Sequence, residues 1–150
     1  MKVYSFARKQ YLNRPRREVF DFFERPENLS RLTPPDMKFQ VLTPEPITMA
    51  AGTIIDYSVT VFGIKRHWRT LICSYHPPEE FVDVQLKGPY LMWHHTHKFV
   101  EVANGTEIVD EVSYVMPFGY LGRVVQKWLV RPRLKNIFDF RAKVIADYFK

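Results

Sequence analysis

Apolar and polar residues alternate along residues 2–12, with Tyr4, Phe6 and Leu12 on one parity and Val3, Ala7 and Tyr11 on the other. A period of two marks a strand, so the chain is expected to open on one. Asn13 and Arg14-Pro15 follow, a cap region with an early proline that signals a helix start. From there Val19, Phe22 and Phe23 recur at intervals of three and four, with Arg16, Arg17, Glu18 and Asp21 around them. That spacing predicts a short amphipathic helix. A second helix of one or two turns is expected over 26–32, ended by Thr33-Pro34-Pro35, because proline removes a backbone donor and restricts the residue before it.

Beyond this point the pattern turns to strands, expected over 38–42, 53–62, 66–75, 80–86, 92–102 and 106–116. Turn residues separate them: Pro44 to Pro46 and Gly52, Phe62-Gly63-Ile64, His76-Pro77-Pro78, Lys87-Gly88-Pro89 and Asn104-Gly105. Short strands joined this way form an antiparallel meander. After Pro117 a helical period takes over, carried by Leu121, Val124, Val125, Trp128, Leu129, Ile137, Phe138, Val144, Ile145 and Tyr148. Pro132 is expected to kink or split this long helix, since it deletes a backbone bond and clashes with the preceding turn. The resulting order is strand, two short helices, six strands, one long helix. It is an α+β plan, with helices on one face of a curved antiparallel sheet of about seven strands. No repeat or linker divides the chain, so residues 1–150 read as one domain.

Composition adds a few bounds. At 46% hydrophobic, 150 residues suffice to bury a real core, and the 15% aromatic content either packs that core or lines a pocket. The formal charge of +6 biases the surface toward anions such as phospholipid head groups, acidic proteins or nucleic acid. The cations are scattered rather than blocked, so the main reading is a solvated surface with no specific nucleic-acid site. Peripheral membrane contact stays open as a partner reading, and the pattern fixes no oligomeric state. Cys73 is the only cysteine, which removes any intramolecular disulfide or cysteine metal cluster and fits a reducing compartment. With no unbroken apolar N-terminal stretch and no run of membrane-spanning length, a cytoplasmic location is expected.

Several segments in this order carry a family resemblance: Pro15-Arg16-Arg17-Glu18-Val19-Phe20-Asp21-Phe22-Phe23 with Pro26-Glu27-Asn28-Leu29, then Leu32-Thr33-Pro34, then Trp93-His94-His95-Thr96-His97-Lys98-Phe99. Gly105-Thr106-Glu107-Ile108-Val109-Asp110-Glu111-Val112-Ser113-Tyr114 closes the set, followed by Pro117 and Gly119. The whole chain resembles the START and pollen-allergen-like superfamily, also called SRPBCC. Within it, the chain is most similar to small bacterial polyketide cyclase/dehydrase-like ligand-binding domains. The resemblance implies a helix-grip fold with a deep cavity between sheet and terminal helix, used across the family for sterols, quinones, acyl groups, polyketides and hormones. It specifies the fold and no single reaction.

Parity places Trp93, His95, His97 and Phe99 on one strand face, with His94, Thr96 and Lys98 on the other. If the Asn104-Gly105 turn joins this strand to the next, Ile108, Asp110, Val112 and Tyr114 share the face of His95 and His97. A carboxylate beside an imidazole fixes its tautomer and raises its pKa. His97 and Asp110 are therefore the candidate proton-transfer pair, with a satisfied buried histidine as the plainer reading. Expected pocket liners are Tyr57, Val59, Trp68, Ile72, Trp93, His95, His97, Tyr114, Trp128 and Phe138, with Arg66 or Arg69 as an inward anion anchor. Asp56, Asp83 and Glu101 read as solvent-facing. His94, His95 and His97 with Asp110 are too weakly spaced to argue a metal, and no cofactor motif is present, so none is expected. The favoured function is a carrier or sensor of a hydrophobic small molecule. The alternatives are a cyclase- or dehydratase-like enzyme using His97 and Asp110, and a basic-surface partner of protein or ribosome.

Overall fold

The computed structural model describes residues 1–150. Strand β1 spans Tyr4–Leu12 and helix α1 spans Arg16–Phe23; a 3₁₀ turn at Pro26–Asn28 then leads into the short helix α2 at Leu29–Leu32. Strands β2 to β7 cover Gln40–Val41, Ile54–Val61, Ile64–His76, Glu80–Lys87, Met92–Val102 and Gly105–Val115. The sheet is antiparallel in the order β1-β7-β6-β5-β4-β3-β2, so the first strand closes against the last. Two expected boundaries move: the 38–42 strand shrinks to two residues, and β4 begins at Ile64 because Phe62 and Gly63 alone make its turn, both at positive φ.

Two register shifts between β4 and β5, at Arg69/Thr70 and Ile72/Ser74, mark bulges. Bulges add twist and bend to the strand that carries them, which suits a sheet that must curl around a helix. The β6–β7 turn is Ala103-Asn104, with Val102 paired to Gly105. Gly105 is thus the first residue of β7, where a Cβ would fall 2.1 Å from the Leu12 carbonyl oxygen.

The C-terminal helix runs through α3 at Gly119–Val125, a π turn at Gln126–Val130 and α4 at Arg131–Tyr148. Pro132 occupies the first turn of α4, and the helical run changes its hydrogen-bond register there through the wider π turn. The helical run thus divides immediately ahead of Pro132, in the neighbourhood where a kink or split is expected.

The core has two apolar halves. One joins Val19, Phe20, Phe22 and Phe23 of α1 to Phe81, Phe99, Ile108 and Ile145; the other joins Val112, Tyr114, Val130, Leu134 and Phe138. Along β7 the inward residues run Ile108, Asp110, Val112, and along α4 they run Leu134, Phe138, Arg141, Ile145. A charged residue on each element therefore falls at the level where one apolar half gives way to the other. No helix is long and apolar enough to cross a membrane.

Candidate functional site

Register builds the site. His97 pairs with Asp110 and His95 with Val112 across β6–β7, while Phe81 pairs with His97 and Asp83 with His95 across β5–β6. Paired residues point to the same face, so Asp83, His95, His97 and Asp110 all face inward. Arg141 descends onto them from α4. The side chains of these five residues are between 6% and 15% exposed.

The two imidazoles stack with centroids 3.7 Å apart. His95 Nε2 lies 2.7 Å from Asp110 Oδ1, and His97 Nε2 lies 2.6 Å from Asp83 Oδ2. The carboxylate facing His97 is thus Asp83, and the expected His97–Asp110 contact is the longer one, Nδ1 to Oδ1 at 3.6 Å. Asp83 also corrects its expected solvent-facing place. On β5, Val82, Val84 and Leu86 form a regular apolar alternation, yet they face outward, while Phe81, Asp83 and Gln85 face in. The sheet's outer face is apolar enough at this strand to mislead a parity argument.

Burial alone would raise both carboxyl groups. For Asp83, the hydrogen bond from His97 and the charges of His97, His95 and Arg141 outweigh burial and hold it below the usual range. For Asp110, the hydrogen bond and charge of His95, then Arg141 and His97, take it down to about 2. Burial pushes His97 down, as does the neighbouring His95, against the opposing pull of Asp83. Both carboxylates are consequently ionised at neutral pH and can only accept, so each imidazole presents an Nε2–H to its partner. Neutral His97 then carries its lone pair on Nδ1, an atom that is buried and makes no hydrogen bond.

Arg141 Nη1 stands 4.0 Å from Asp110 Oδ1, and its guanidinium lies over the Phe138 ring at 5.0 Å. Nε and Nη1 of Arg141 are buried without a hydrogen-bond partner, and so is Trp68 Nε1. The inward-facing arginine is therefore Arg141 on the helix and not one on β4: Arg69 binds Asp56 and Arg66 is exposed.

These groups line a cavity of about 160 Å³ between sheet and helix. Tyr57, Val59, Trp68, Trp93, His95, His97 and Phe138 all contribute to its wall, together with Asp83, Tyr90, Leu134 and Arg141. Ile72 lines a smaller adjoining pocket that shares Tyr57, Asp83, His97 and Arg141. Tyr114 is outside the wall: it is fully buried, accepts a hydrogen bond from Gln126 Nε2 at 3.0 Å and stacks against Tyr4. Trp128 is 68% exposed on the outer side of the helix, away from the cavity. It stands two residues from each of the buried Gln126 and Val130, which places it on the opposite side of the helix. Asp110 lies behind His95 and does not line the cavity.

Asp83, His95 and His97 bring ligand-type atoms within 4.8 Å of one another, the spacing of a metal site. The short His97–Asp83 hydrogen bond already uses two of those atoms. Arg141 supplies the adjacent positive charge.

A bent antiparallel sheet gripping a terminal helix around an internal cavity defines the helix-grip class. Residues 12–138 match the family described as polyketide cyclase/dehydrase and lipid transport, and the chain belongs to that family. Among solved structures it is similar to TTHA0849 from Thermus thermophilus, with TM-score 0.74 and 13% identity over 97% of this chain and 99% of that one. It is also similar to the di-domain ARO/CYC StfQ from the steffimycin biosynthetic pathway (TM-score 0.74, 13% identity), covering 98% of this chain and 50% of that one. Ara h 8.0201 shares the fold at TM-score 0.62 and 15% identity, over 96% of this chain and 99% of that chain. No curated protein matches the chain significantly in sequence.

Proposed function

We propose that residues 1–150 act as one ligand-binding domain that holds a hydrophobic small molecule in the cavity and orients it by a single hydrogen-bond-accepting or anionic group. The observation that carries this reading is the pairing of an aromatic-walled cavity with buried donors that lack acceptors, Trp68 Nε1 and Nε and Nη1 of Arg141. A buried polar group without a partner costs on the order of 1–3 kcal/mol, and a guest oxygen placed there removes that cost. The cavity's volume suits a group of about one aromatic ring, since an apolar cavity of roughly 150 Å³ accepts benzene. Burial of apolar surface at roughly 25 cal/mol per Å² supplies the remaining drive.

Native mass spectrometry of protein purified from its own host should find a retained guest. In vitro, anilinonaphthalene sulfonate should bind, and Val59→Phe, which extends a wall residue into the space, should abolish binding. Arg141→Met should weaken the sulfonate dye and leave a neutral naphthylamine dye nearly unaffected. Equal binding of both dyes by both variants would refute the reading.

A second reading, proton-transfer catalysis, is favoured by one observation. Each imidazole is held through Nε2 by its own carboxylate, the arrangement that orients a general base. His97→Gln and His95→Gln should then keep dye affinity but stop conversion of the retained guest, whereas a pure carrier would convert nothing in either form.

A further inference from the structure

The outer side of the C-terminal helix carries an apolar surface that the fold leaves uncovered. Gly122, Gln126 and Val130, four residues apart, form its buried stripe. Around the exposed side stand Phe118 and Tyr120, each 80% exposed, Leu121 at 62%, Trp128 at 68%, and the half-exposed Val124 and Leu129. Phe118 has φ 67, a left-handed conformation that is a genuine outlier for a bulky residue. Large apolar side chains gathered this closely on one short helical stretch are unlike the scattered exposed residues of an ordinary surface.

The charge along this stretch of chain has one sign. No acidic residue occurs between Glu111 and Asp139, while Arg123, Lys127, Arg131, Arg133 and Lys135 all fall there. Arg133 and Lys135 are paired with Asp36 and Asp139. Arg123, Lys127 and Arg131 are exposed, four residues apart, and have no carboxylate within salt-bridge distance; Lys127 Nζ lies 5.3 Å from the Trp128 ring centroid. Aromatic and aliphatic residues beside a row of cations match the two layers of an anionic bilayer surface, where rings enter the head-group boundary and cations meet phosphate. Exposed rings beside a row of cations, in a stretch with no acidic residue, fit the composition of helices that lie in the bilayer interface.

We propose that this face, formed by Phe118, Tyr120, Leu121, Val124 and Trp128 with Arg123, Lys127 and Arg131, docks the protein reversibly on anionic phospholipid membranes. Val130, at the end of the same stretch, and Phe62, itself 53% exposed, both line the cavity. Docking there sets the ligand cavity near the lipid. The proposal goes beyond the cavity-binding reading and does not depend on it: the Val59→Phe variant should still dock.

The test is co-sedimentation with vesicles of phosphatidylglycerol and phosphatidylcholine in equal parts, against vesicles of phosphatidylcholine alone. The wild type should bind the anionic vesicles, lose affinity as salt rises, and show a blue shift of Trp128 emission that is absent in Trp128→Phe. Leu121→Ser/Trp128→Ser should abolish binding. Arg123→Gln/Lys127→Gln/Arg131→Gln should weaken it about a hundredfold, at roughly fivefold per cation. All eight residues are outside the cavity wall, and unchanged thermal unfolding and dye binding would show that the variants are folded. Failure of the wild type to bind anionic vesicles overturns the proposal, as does wild-type binding by both variants. So does sedimentation velocity showing that the face instead joins two copies of this chain, with self-association lost in the serine variant.

Discussion

Replacing Asp110 by Asn keeps the shape of the buried cluster and removes one charge from it. His95 Nε2–H still finds an oxygen, but Arg141 loses its nearest carboxylate, 4.0 Å away, while two of its own nitrogens already lack acceptors. Breaking a buried charge arrangement from one side costs about 3 kcal/mol, and that loss is expected at pH 7. Part of it must depend on pH. Asp110 titrates near 2 in the fold against an ordinary 3.8, and that separation corresponds to about 2 kcal/mol. Because the folded pKa is the lower one, this stability is fully present above the ordinary value and is lost as pH falls toward 2. The gap between wild type and Asp110→Asn in urea denaturation should therefore narrow by about 2 kcal/mol between pH 5 and pH 2. A gap that stays constant across that range would show that Asp110 acts through packing alone and would refute the charge account.

Other consequences are open to the same methods. His97 has a folded pKa below its ordinary 6.5, so the unfolded chain takes up a proton first. Stability is expected to start falling below about pH 6.5, and His97→Gln should remove that part of the slope; a wild type with flat stability from pH 7 to 5 would contradict it. Phe20 is fully buried with Phe81 and Phe99 packed edge-on to it, and Phe20→Ala should cost about 3–5 kcal/mol in the same assay. Gly105→Ala would drive a Cβ into the Leu12 carbonyl and should lower stability by about 1–3 kcal/mol, read as a fall in Tm, through distortion of the β1–β7 ladder.

The order of elements was legible because it rests on local periodicity and turn residues, signals that each segment carries by itself. The shared inward face of His95, His97 and Asp110 was legible too. Moving the turn from Asn104-Gly105 to Ala103-Asn104 shifts each partner by two residues and preserves the face. Asp83 was hidden because the outer side of β5 is itself apolar, which reverses the usual meaning of alternation. Arg141 was hidden for a different reason. A helix residue joins a strand cluster only through the rotation of the helix, and a π turn beginning at Gln126 is not written in any three-and-four spacing. Leu121, Val124 and Trp128 resemble one continuous stripe with Phe138 and Ile145, yet they are exposed, and Gly122, Gln126 and Val130 form the buried stripe in their place.

A π turn holds about one residue more than an α turn, and one residue of helix is worth about 100° of rotation. Inserting it between Val125 and Arg131 lets a single rod bury a stripe along both halves, Gly122, Gln126 and Val130 in the earlier one and Leu134, Phe138 and Ile145 in the later one, while Tyr120, Leu121 and Trp128 stay outside. Deleting one residue inside 126–130 would swing Trp128 and its neighbours around the axis and would carry Gly122 and Gln126 out of their buried places, with loss of the Gln126 hydrogen bond to Tyr114. The direction in which the outward patch faces is therefore tied, through Gln126 and Val130, to the grip of the same helix on the sheet.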